Sequence, residues 1–341
     1  MSVFLDACHG KPTSHTPIWL MRQAGRYQAS YQAIRSKVEF LELCRNPELA
    51  CQVTVDAVDQ LGVDAAIIFA DILLILEPLG IPFGFEKGHG PRIYTPIRTA
   101  AQIDALSADT KPAESLGYVM EAIKLARRAL DVPLIGFAGA PFTLASYAIE
   151  GAGSKNYYEA KKLMYADEGA WNVLMEKISI ALGQYLNAQI DAGAQVVQLF
   201  DSWVGCLSPA DYRRYVFPHT KSVFDAVKGR VPMCHFGTGN PALYPMMQEA
   251  GGEIMGVDWR VDLSEQWDIL GGPEKTRLMG NLEPAMLLAP ESVMKEQASM
   301  VLERAAGRPG HIFNLGHGIM PSTTVDHVRA LVDHVHEVSA R

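Results

Sequence analysis

Two arginines separated by three residues follow an apolar run near the start of the chain. The run Pro17–Met21 leads directly into Arg22, and Arg26 comes after a short Gln-Ala-Gly segment. Each guanidinium presents a planar fork of N–H donors that can hold a carboxylate or phosphate through two hydrogen bonds. The spacing therefore indicates a site for an anion with several such groups. The alternative is that both arginines are solvent-exposed charges or partners of nearby acids.

One carboxylate stands out because of the apolar residues around it. Asp71 ends an apolar run that begins after Asp64, and Ile72-Leu73-Leu74 follow it. A carboxylate in such surroundings is costly unless a cation or several N–H donors meet it. Asp71 could form a salt bridge with one of the two arginines, or it could stabilise a cation that develops during a reaction. The residues alone leave both interpretations open.

Two histidines lie at the ends of apolar runs. His317 is flanked by Gly316 and Gly318, which let a ligand approach closely, although such a histidine can also satisfy only local hydrogen bonds. His235 follows Cys234, but adjacent residues on a strand point to opposite faces and cannot readily share one metal ion. We therefore interpret His235 as a structural or supporting residue and predict no metal ligands.

A glycine-rich segment, Gly136–Leu144, follows another apolar run and precedes a helical pattern. It is neither the dinucleotide-binding nor the P-loop motif, so a nucleotide cofactor is not indicated. Its aromatic residues could instead line a pocket for a flat, apolar ligand. Tyr147 lies one helical turn beyond Thr143, which would bring its hydroxyl to the rim of that pocket. Ordinary core packing is the alternative for Tyr147.

A repeated pattern of apolar runs and helical segments determines the positions of these residues. The chain contains eight continuous apolar runs, typical of parallel strands buried on both faces: Pro17–Arg22, Asp64–Asp71, Pro133–Gly139, Gln195–Ser202, Val231–Gly237, Glu253–Trp259, Arg277–Glu283 and His311–Gly318. Helical patterns lie between most of them. One begins at Asn46-Pro47 and reaches about Leu61, and another runs from Ser208-Pro209 to Val227.

Strict alternation of strands and helices predicts an α/β fold, a single (β/α)8 TIM barrel that occupies residues 1–341 as one catalytic domain. A doubly wound open sheet is the alternative, because periodicity does not show closure. The segment Ile72–Asp109 interrupts the alternation, and we interpret it as a hairpin inserted after strand 2. Its arms would be Phe83–Phe85 and Arg92–Tyr94, on either side of Gly88-His89-Gly90.

The carboxyl ends of barrel strands meet at one face, where active sites of this fold lie. The residues at those ends are polar, although the strands themselves are apolar: Arg22 with Arg26, Asp71, Gly139, Asp201, Ser202, His235, Asp258, Asn281 and His317. The prediction of a barrel thus places the arginines, Asp71 and His317 beside one another.

Composition excludes several other classes of protein. A formal net charge of −8 gives no support to nucleic-acid or anionic-membrane binding, so the positive charge needed for an anion must be local. The longest apolar stretch is interrupted by Asp71 and is too short to span a membrane. Five cysteines without a CxxC pair, and no visible secretory signal, favour a reduced, cytoplasmic location.

The sequence resembles the uroporphyrinogen decarboxylase family from Thr16 to the C-terminal helix. The resemblance lies in the two segments Pro17–Arg26 and Gly136–Leu144, and in Phe69–Leu73, Leu199–Ser202 and Asn314–Gly318. It departs at Phe142, where many members have tryptophan, and at Trp203, where some have histidine; only the local shape of the pocket is affected.

This resemblance implies a cofactor-free lyase, usually a homodimer, that converts uroporphyrinogen III into coproporphyrinogen III in porphyrin and haem biosynthesis. It implies catalytic roles for Asp71, Arg22, Arg26, Tyr147 and His317. The substrate-binding residues that it implies are Arg22, Gln23, Ala24, Gly25, Arg26, Arg35, Asp71, Tyr147, Ser202 and His317. The partner is the tetrapyrrole alone, without nucleic acid or membrane.

Two other functions remain open from the sequence. A zinc-dependent methyltransferase on the same fold would need His-x-Cys and a distant cysteine, whereas the corresponding stretch reads His235-Phe236-Gly237. A tetrapyrrole carrier without catalytic activity would bind the same ligand and release no carbon dioxide.

Overall fold

The computed structural model describes residues 2–86 and 90–341. Its β-strands are β1 (Ala66–Ile67), β2 (Phe83–Glu86), β3 (Gly90–Ile93), β4 (Leu134–Gly139), β5 (Val196–Asp201), β6 (Met233–Gly237), β7 (Ile254–Gly256), β8 (Arg277–Met279) and β9 (His311–Ile312).

The α-helices are α1 (Val3–Cys8), α2 (Ala29–Arg35), α3 (Phe40–Arg45), α4 (Pro47–Leu61), α5 (Ala100–Asp104), α6 (Pro112–Ser115), α7 (Gly117–Ala129), α8 (Pro141–Glu150), α9 (Tyr158–Ala166), α10 (Glu168–Ala192), α11 (Pro209–Tyr215), α12 (Phe217–Val227), α13 (Tyr244–Ala250), α14 (Leu263–Ile269), α15 (Glu291–Ala305) and α16 (Val325–Ser339). Short 3-10 helices cover Leu74–Leu76, Val204–Cys206, Pro241–Leu243 and Pro284–Leu288.

The main sheet has seven parallel strands in the order β1-β4-β5-β6-β7-β8-β9. Spatial order follows chain order without a reversal, whereas a doubly wound sheet reverses direction at a switch point. Each of these strands falls within one of the apolar runs identified in the sequence. The fold is therefore a mixed α/β architecture with parallel strands joined by helices, as the alternation of patterns predicted.

The sheet is curled, because residues from both of its ends meet in one apolar cluster. Ala65, next to β1, and Ile312 of β9 belong to the same buried cluster as Ile135, Val196 and Cys234 of the intervening strands. A flat sheet would hold these side chains far apart. Phe4 of α1 is buried in this cluster as well, so the N-terminal helix covers the inner side of the sheet.

The first apolar run differs from the prediction, since it forms an isolated bridge and no regular strand. Ile18 bridges Phe313 in parallel, and the Ile18 carbonyl accepts a hydrogen bond from the Asp64 amide at 2.8 Å. Beyond that point side chains replace strand partners. The Leu20 amide donates to Gln23 Oε1 at 3.1 Å, and the Met21 amide donates to Asn314 Oδ1 at 3.1 Å. The backbone amides of this segment are therefore hydrogen-bonded without a neighbouring strand, so the chain can turn after Met21.

Helix boundaries were predicted well at one site and wrongly at another. Asn46 caps α4 by accepting the Leu49 amide at 2.9 Å, and Gly62 ends the helix with φ +70°. The single helix predicted from Ser208 to Val227 is instead two helices, α11 and α12, separated at Val216. Pro218 lacks an N–H, so it cannot continue the hydrogen-bond ladder of α11 across the junction.

Between β1 and α5 the chain leaves the main sheet. β2 and β3 pair antiparallel, with Phe83 opposite Ile93 and Glu86 opposite Gly90. The turn predicted at Gly88-His89 lies outside the described residues. Of the helices that the structure describes, none combines the length and the apolar character needed to cross a membrane.

Candidate active site

Arg22 lies in the turn that follows the first run. Arg22 has a left-handed backbone, φ 62°, which is uncommon for a residue with a side chain. The buried side chain of Gln23 holds this turn in place. Its amide oxygen accepts a hydrogen bond from the Leu20 N–H, and its amide nitrogen donates to the Ala65 carbonyl at 3.1 Å. Both ends of the Gln23 amide are used by the backbone, so its side chain positions the turn.

The Arg22 side chain packs against Gly318, the residue that follows His317. A Cβ atom built on Gly318 would stand 2.3 Å from Cδ and 2.6 Å from Cγ of Arg22. Such distances leave no room for a side chain. The glycine therefore makes the space in which the arginine lies, and it brings the loop after β9 into contact with the first turn.

Arg26 and Arg35 lie further along the same segment. Arg26 is exposed, while Ala24 and Gly25 are half-buried in the turn. Arg35, on α2, is half-buried; its guanidinium donates to the Val38 carbonyl and lies 6.0 Å from the Phe40 ring centroid. Within residues 2–86 and 90–341, neither Arg22 nor Arg26 is in an ion pair. These cations are thus available to an anion.

Asp71 lies just beyond β1, where burial opposes its ionisation. Loss of solvent raises the pKa of Asp71 to about 6, although the Leu73 amide and the Arg22 guanidinium both act to lower it. The Leu73 amide donates to Asp71 Oδ1 at 2.8 Å. The other carboxylate oxygen is not used by a hydrogen bond in the described part of the chain. Asp71 is therefore a carboxylate that takes up a proton more readily than a solvent-exposed one, with one oxygen available to a donor.

His317 is a neutral imidazole with a defined donor. Burial and the nearby charge of Arg22 lower the pKa of His317 to about 4. The Gly318 amide donates to Nδ1 of His317 at 2.8 Å, so the ring proton lies on Nε2. Nε2 can therefore donate a hydrogen bond to an acceptor such as a carboxylate.

An aromatic wall completes this group of residues. Tyr147 and Trp203 stack with ring centroids 3.7 Å apart, and the Tyr157 ring packs against Trp203 with a centroid distance of 5.1 Å. Burial and the charge of Asp71 raise the pKa of Tyr147, so its hydroxyl remains a donor at neutral pH. Ser202 is half-buried immediately before Trp203. The sequence related Trp203 only to the local shape of the pocket and assigned it no role in binding; its position two residues after Asp201, beyond the end of β5, was the available signal.

A buried polar network supports this wall. The Thr143 hydroxyl donates to Asp201 Oδ1 at 3.1 Å and accepts the Trp203 amide at 3.4 Å. Nε2 of His235 lies 3.6 Å from the other oxygen of Asp201, and Nδ1 lies 3.1 Å from the Met247 carbonyl oxygen. All of these side chains except Trp203 are fully buried. His235 is thus a supporting residue, as the sequence indicated.

Asp258 and Asn281 are buried structural groups. Oδ2 of Asp258 accepts from the Thr238 hydroxyl at 2.6 Å, the Gly239 amide at 2.7 Å and the Arg260 guanidinium at 2.6 Å. The Asn281 amide donates to the carbonyls of residues 258 and 261. Their hydrogen-bonding capacity is used within the protein, in contrast to that of Asp71.

The causes of the pKa shifts show that four of the predicted residues lie close together. Arg22 affects the pKa of Asp71, of Tyr147 and of His317, so its charge is close to all three. Arg26 and Arg35 instead both affect the pKa of Tyr31, which places them on the α2 side of the turn. A cation, a carboxylate, two neutral donors and an aromatic wall can bind a flat molecule that carries carboxylates and N–H groups.

Comparison with known proteins gives one family. A family model described as "Uroporphyrinogen decarboxylase (URO-D)" matches residues 1–338. A uroporphyrinogen decarboxylase of Carboxydothermus hydrogenoformans is 52% identical over 340 residues, covering 99% of this chain and 96% of the relative. One of Koribacter versatilis is 50% identical over 344 residues, covering 100% of this chain and 97% of the relative.

Solved structures show the same fold in another kind of protein. A methyltransferase from Methanosarcina mazei superposes with a TM-score of 0.82 at 21% identity, covering 98% of this chain and 97% of that protein. A B12-independent methionine synthase from Shewanella sp. W3-18-1 superposes with a TM-score of 0.57 at 10% identity, covering 89% and 90% of the two chains. Identities this low establish a shared fold and nothing about the reaction.

Proposed function

Because the chain belongs to the uroporphyrinogen decarboxylase family, we propose that it removes the four acetate carboxyl groups of uroporphyrinogen III and gives coproporphyrinogen III. The protein is a carboxy-lyase of porphyrin and haem biosynthesis. The observation that carries the proposal is that the Arg22 charge lies near Asp71, Tyr147 and His317 alike.

The substrate explains why cations and aromatic rings occur together. Uroporphyrinogen carries four acetate and four propionate arms on a macrocycle of pyrrole rings. Arg22 and Arg26 bind the carboxylates, with Arg35 reaching arms further out. Each hydrogen bond to a charged group contributes about 1.5–3 kcal/mol, so a few arginines can hold this polyanion on an acidic protein. Tyr147 and Trp203 provide the apolar surface for the macrocycle, and Ser202 lies at its edge.

Loss of carbon dioxide from an acetate arm requires a place for the electron pair of the broken C–C bond. Protonation of the pyrrole ring makes the substrate its own electron acceptor. The pair moves into the cationic ring as carbon dioxide leaves, and a proton then adds to the exocyclic carbon to give the methyl group. The ring proton is lost again. Each cycle therefore converts one acetate and one proton into one methyl group and one carbon dioxide.

Asp71 stabilises the cation that this route creates. Its free oxygen accepts hydrogen bonds from the pyrrole N–H groups, and its negative charge faces the positive ring. A carboxylate whose pKa is about 6 is ionised at neutral pH and gains most from a positive neighbour. Arg22 holds the departing carboxylate or assists the proton transfer, while Tyr147 and His317 donate hydrogen bonds that orient the arms.

We further propose that residues 1–341 form one domain, a closed (β/α)8 barrel. The support is that the Ile18 segment bonds to Phe313 on one side and to Asp64 on the other, between the two end strands of the sheet. In this arrangement the β2–β3 pair belongs to a hairpin inserted beside the site. The family resemblance supports a homodimer. Five free thiols are consistent with a cytoplasmic location.

The zinc-dependent methyltransferase is the second candidate, and the shared fold is its only support. Cys234 lies in the inner apolar cluster, whereas His235 faces Phe224 on the helical side, so the two side chains point apart. Within the described residues, the one group of three potential metal ligands contains no cysteine. These donors do not fit the thiolate-rich zinc site that such a methyltransferase uses.

The decisive experiment is anaerobic incubation with uroporphyrinogen III, without added metal or cofactor, followed by separation of products by carboxylate number. We expect intermediates with seven, six and five carboxylates, a final product with four, and release of carbon dioxide. Unchanged substrate bound to folded protein would instead support a carrier. Activity that requires stoichiometric zinc and disappears on chelation would support the methyltransferase.

A further inference from the structure

Three potential metal ligands converge at the end of the sheet opposite the candidate active site. They are His15, in the segment before the first apolar run, Asp64, just before β1, and His336 on α16. One ligand atom from each lies within 4.8 Å of those of the other two. Asp64 precedes β1 and Asp71 follows it, so the two carboxylates lie beyond opposite ends of that strand. The cluster is therefore separate from the decarboxylation site.

The contacts already approach the spacing of metal ligands. Nε2 of His15 is 3.2 Å from Oδ1 of Asp64, and Nε2 of His336 is 2.8 Å from Oδ2. A tetrahedral Zn²⁺ with ligands at 2.0–2.1 Å keeps its ligand atoms about 3.3 Å apart. The two imidazole rings are nearly perpendicular, with centroids 4.6 Å apart, so both Nε2 atoms face the carboxylate without stacking.

Atoms beyond the three ligands also match a metal site. Nδ1 of His15 lies 3.2 Å from the Ser14 hydroxyl, and the Ile18 amide donates to Oδ2 of Asp64 at 2.8 Å. Such outer contacts fix the orientation of metal-bound imidazoles and carboxylates. The side chains of His15, Asp64 and His336 are 24%, 16% and 30% exposed, so a hydrated ion can enter and water can supply a fourth ligand.

We propose that His15, Asp64 and His336 form a binding site for a divalent transition-metal ion. Two imidazoles and one carboxylate suit Zn²⁺, and cobalt(II) is a spectroscopic substitute for it. The ion links the segment before the first apolar run to the C-terminal helix, so it stabilises the fold and takes no part in decarboxylation. An ion that binds only the folded chain raises its thermal stability.

The test uses untagged, chelator-treated protein with one equivalent of Co²⁺ or Zn²⁺. We expect visible absorption bands of four-coordinate Co²⁺, a higher Tm with Zn²⁺, and zinc X-ray absorption that reports two imidazoles and oxygen ligands. His336→Gln and His15→Gln should each lose the Co²⁺ bands and the Zn²⁺-dependent shift while turnover stays normal. His9→Gln, at an exposed histidine elsewhere, should retain both signals.

The outcomes separate binding from simple hydrogen bonding. Wild-type protein that shows no shift and no cobalt spectrum would overturn the proposal, since the three groups would then only bond to one another. Binding that survives both substitutions would place the ion elsewhere and would overturn it too. If either variant fails to fold, the X-ray absorption spectrum of the wild-type protein decides, because it identifies the ligands directly.

Discussion

Asp71 has two properties that oppose each other, namely a half-buried position and a charge that the proposed reaction uses. Burial raises its pKa to about 6, so ionisation at neutral pH costs folding free energy. In the unfolded chain the pKa is near 3.8. The folded state therefore binds the proton more tightly, and stability from this group is lost as pH rises through 6. Groups with perturbed pKa values of this kind cluster at functional sites.

Asp71→Asn should accordingly separate stability from activity. The amide can still accept the Leu73 N–H, but it carries no charge. We expect the free energy of unfolding at pH 7.5 to rise by about 1–2 kcal/mol, with the difference vanishing near pH 4. Turnover should fall about 10²–10³-fold, because the cation is no longer stabilised. Urea unfolding and the anaerobic product assay measure the two effects.

A matched control is Asp131→Asn, at an exposed aspartate between α7 and β4, which should change neither quantity. A folded Asp71→Asn enzyme with normal turnover would remove Asp71 from the mechanism. Loss of stability in place of a gain would show that the carboxylate is paired more strongly than its surroundings indicate.

At this scale the sequence pointed to the polar residues of the candidate site, but not to the side chains that hold them in position. Arg22, Asp71 and His317 were recognisable because each polar residue ends an apolar run. The buried Gln23 also lay in the predicted segment, but only the structure shows that its amide holds the backbone. The His15–Asp64–His336 cluster carries no motif, since its members are distant in sequence and meet only when the two chain ends pack together.

At the scale of elements, the loop after the first apolar run and the loop after β9 depend on each other. Arg22 belongs to one loop and Gly318 to the other, and the arginine side chain occupies the space that a Cβ would fill. The φ angle of Gly318 lies outside the left-handed region, so alanine is compatible with its backbone. Substitution there changes the position of Arg22 without breaking the loop.

Gly318→Ala should therefore lower kcat/KM about 10- to 100-fold while the protein remains folded, because a misplaced catalytic group costs rate steeply. Steady-state kinetics of a double-mutant cycle test the cause. In an Arg22→Ala background, Gly318→Ala should have little further effect, since the displaced side chain is already gone. Gly153→Ala is the control, as its Cβ would meet no atom within 4 Å. Additive losses would show that Gly318 acts independently of Arg22.

Predictions of helices and strands were confirmed where local interactions determine the structure, and they were wrong where tertiary contacts determine it. Asn46, Pro47 and Gly62 mark the ends of α4 through capping and a left-handed glycine, which are local effects. The first run was expected to form a strand, but Gln23 and Asn314 satisfy its amides instead. Those side-chain bonds connect distant parts of the chain, so hydrophobic periodicity carries no signal for them.

At the scale of the whole molecule, the two ends of the chain meet beneath the sheet. The Ser339 hydroxyl accepts the Thr16 amide at 2.9 Å, and the Arg341 amide donates to the Ser14 carbonyl at 2.9 Å. The segment that they hold continues directly into the run that carries Arg22. The C-terminal helix therefore fixes, from the opposite face, the start of the element that delivers the arginine.

Ser339→Ala tests this connection, because it removes the acceptor of the buried Thr16 amide and leaves the helix otherwise intact. An unpaired buried amide costs about 1–3 kcal/mol, so the free energy of unfolding should fall by that order. Hydrogen exchange should show faster exchange at Thr16 and Ile18. Ser36→Ala is the matched control, because the Ser36 hydroxyl, at the C-terminal end of α2, donates to the Ala33 carbonyl one turn earlier and connects no distant segments. Unchanged protection at Thr16 in the Ser339 variant would mean that the N-terminal segment is held without the C-terminal helix.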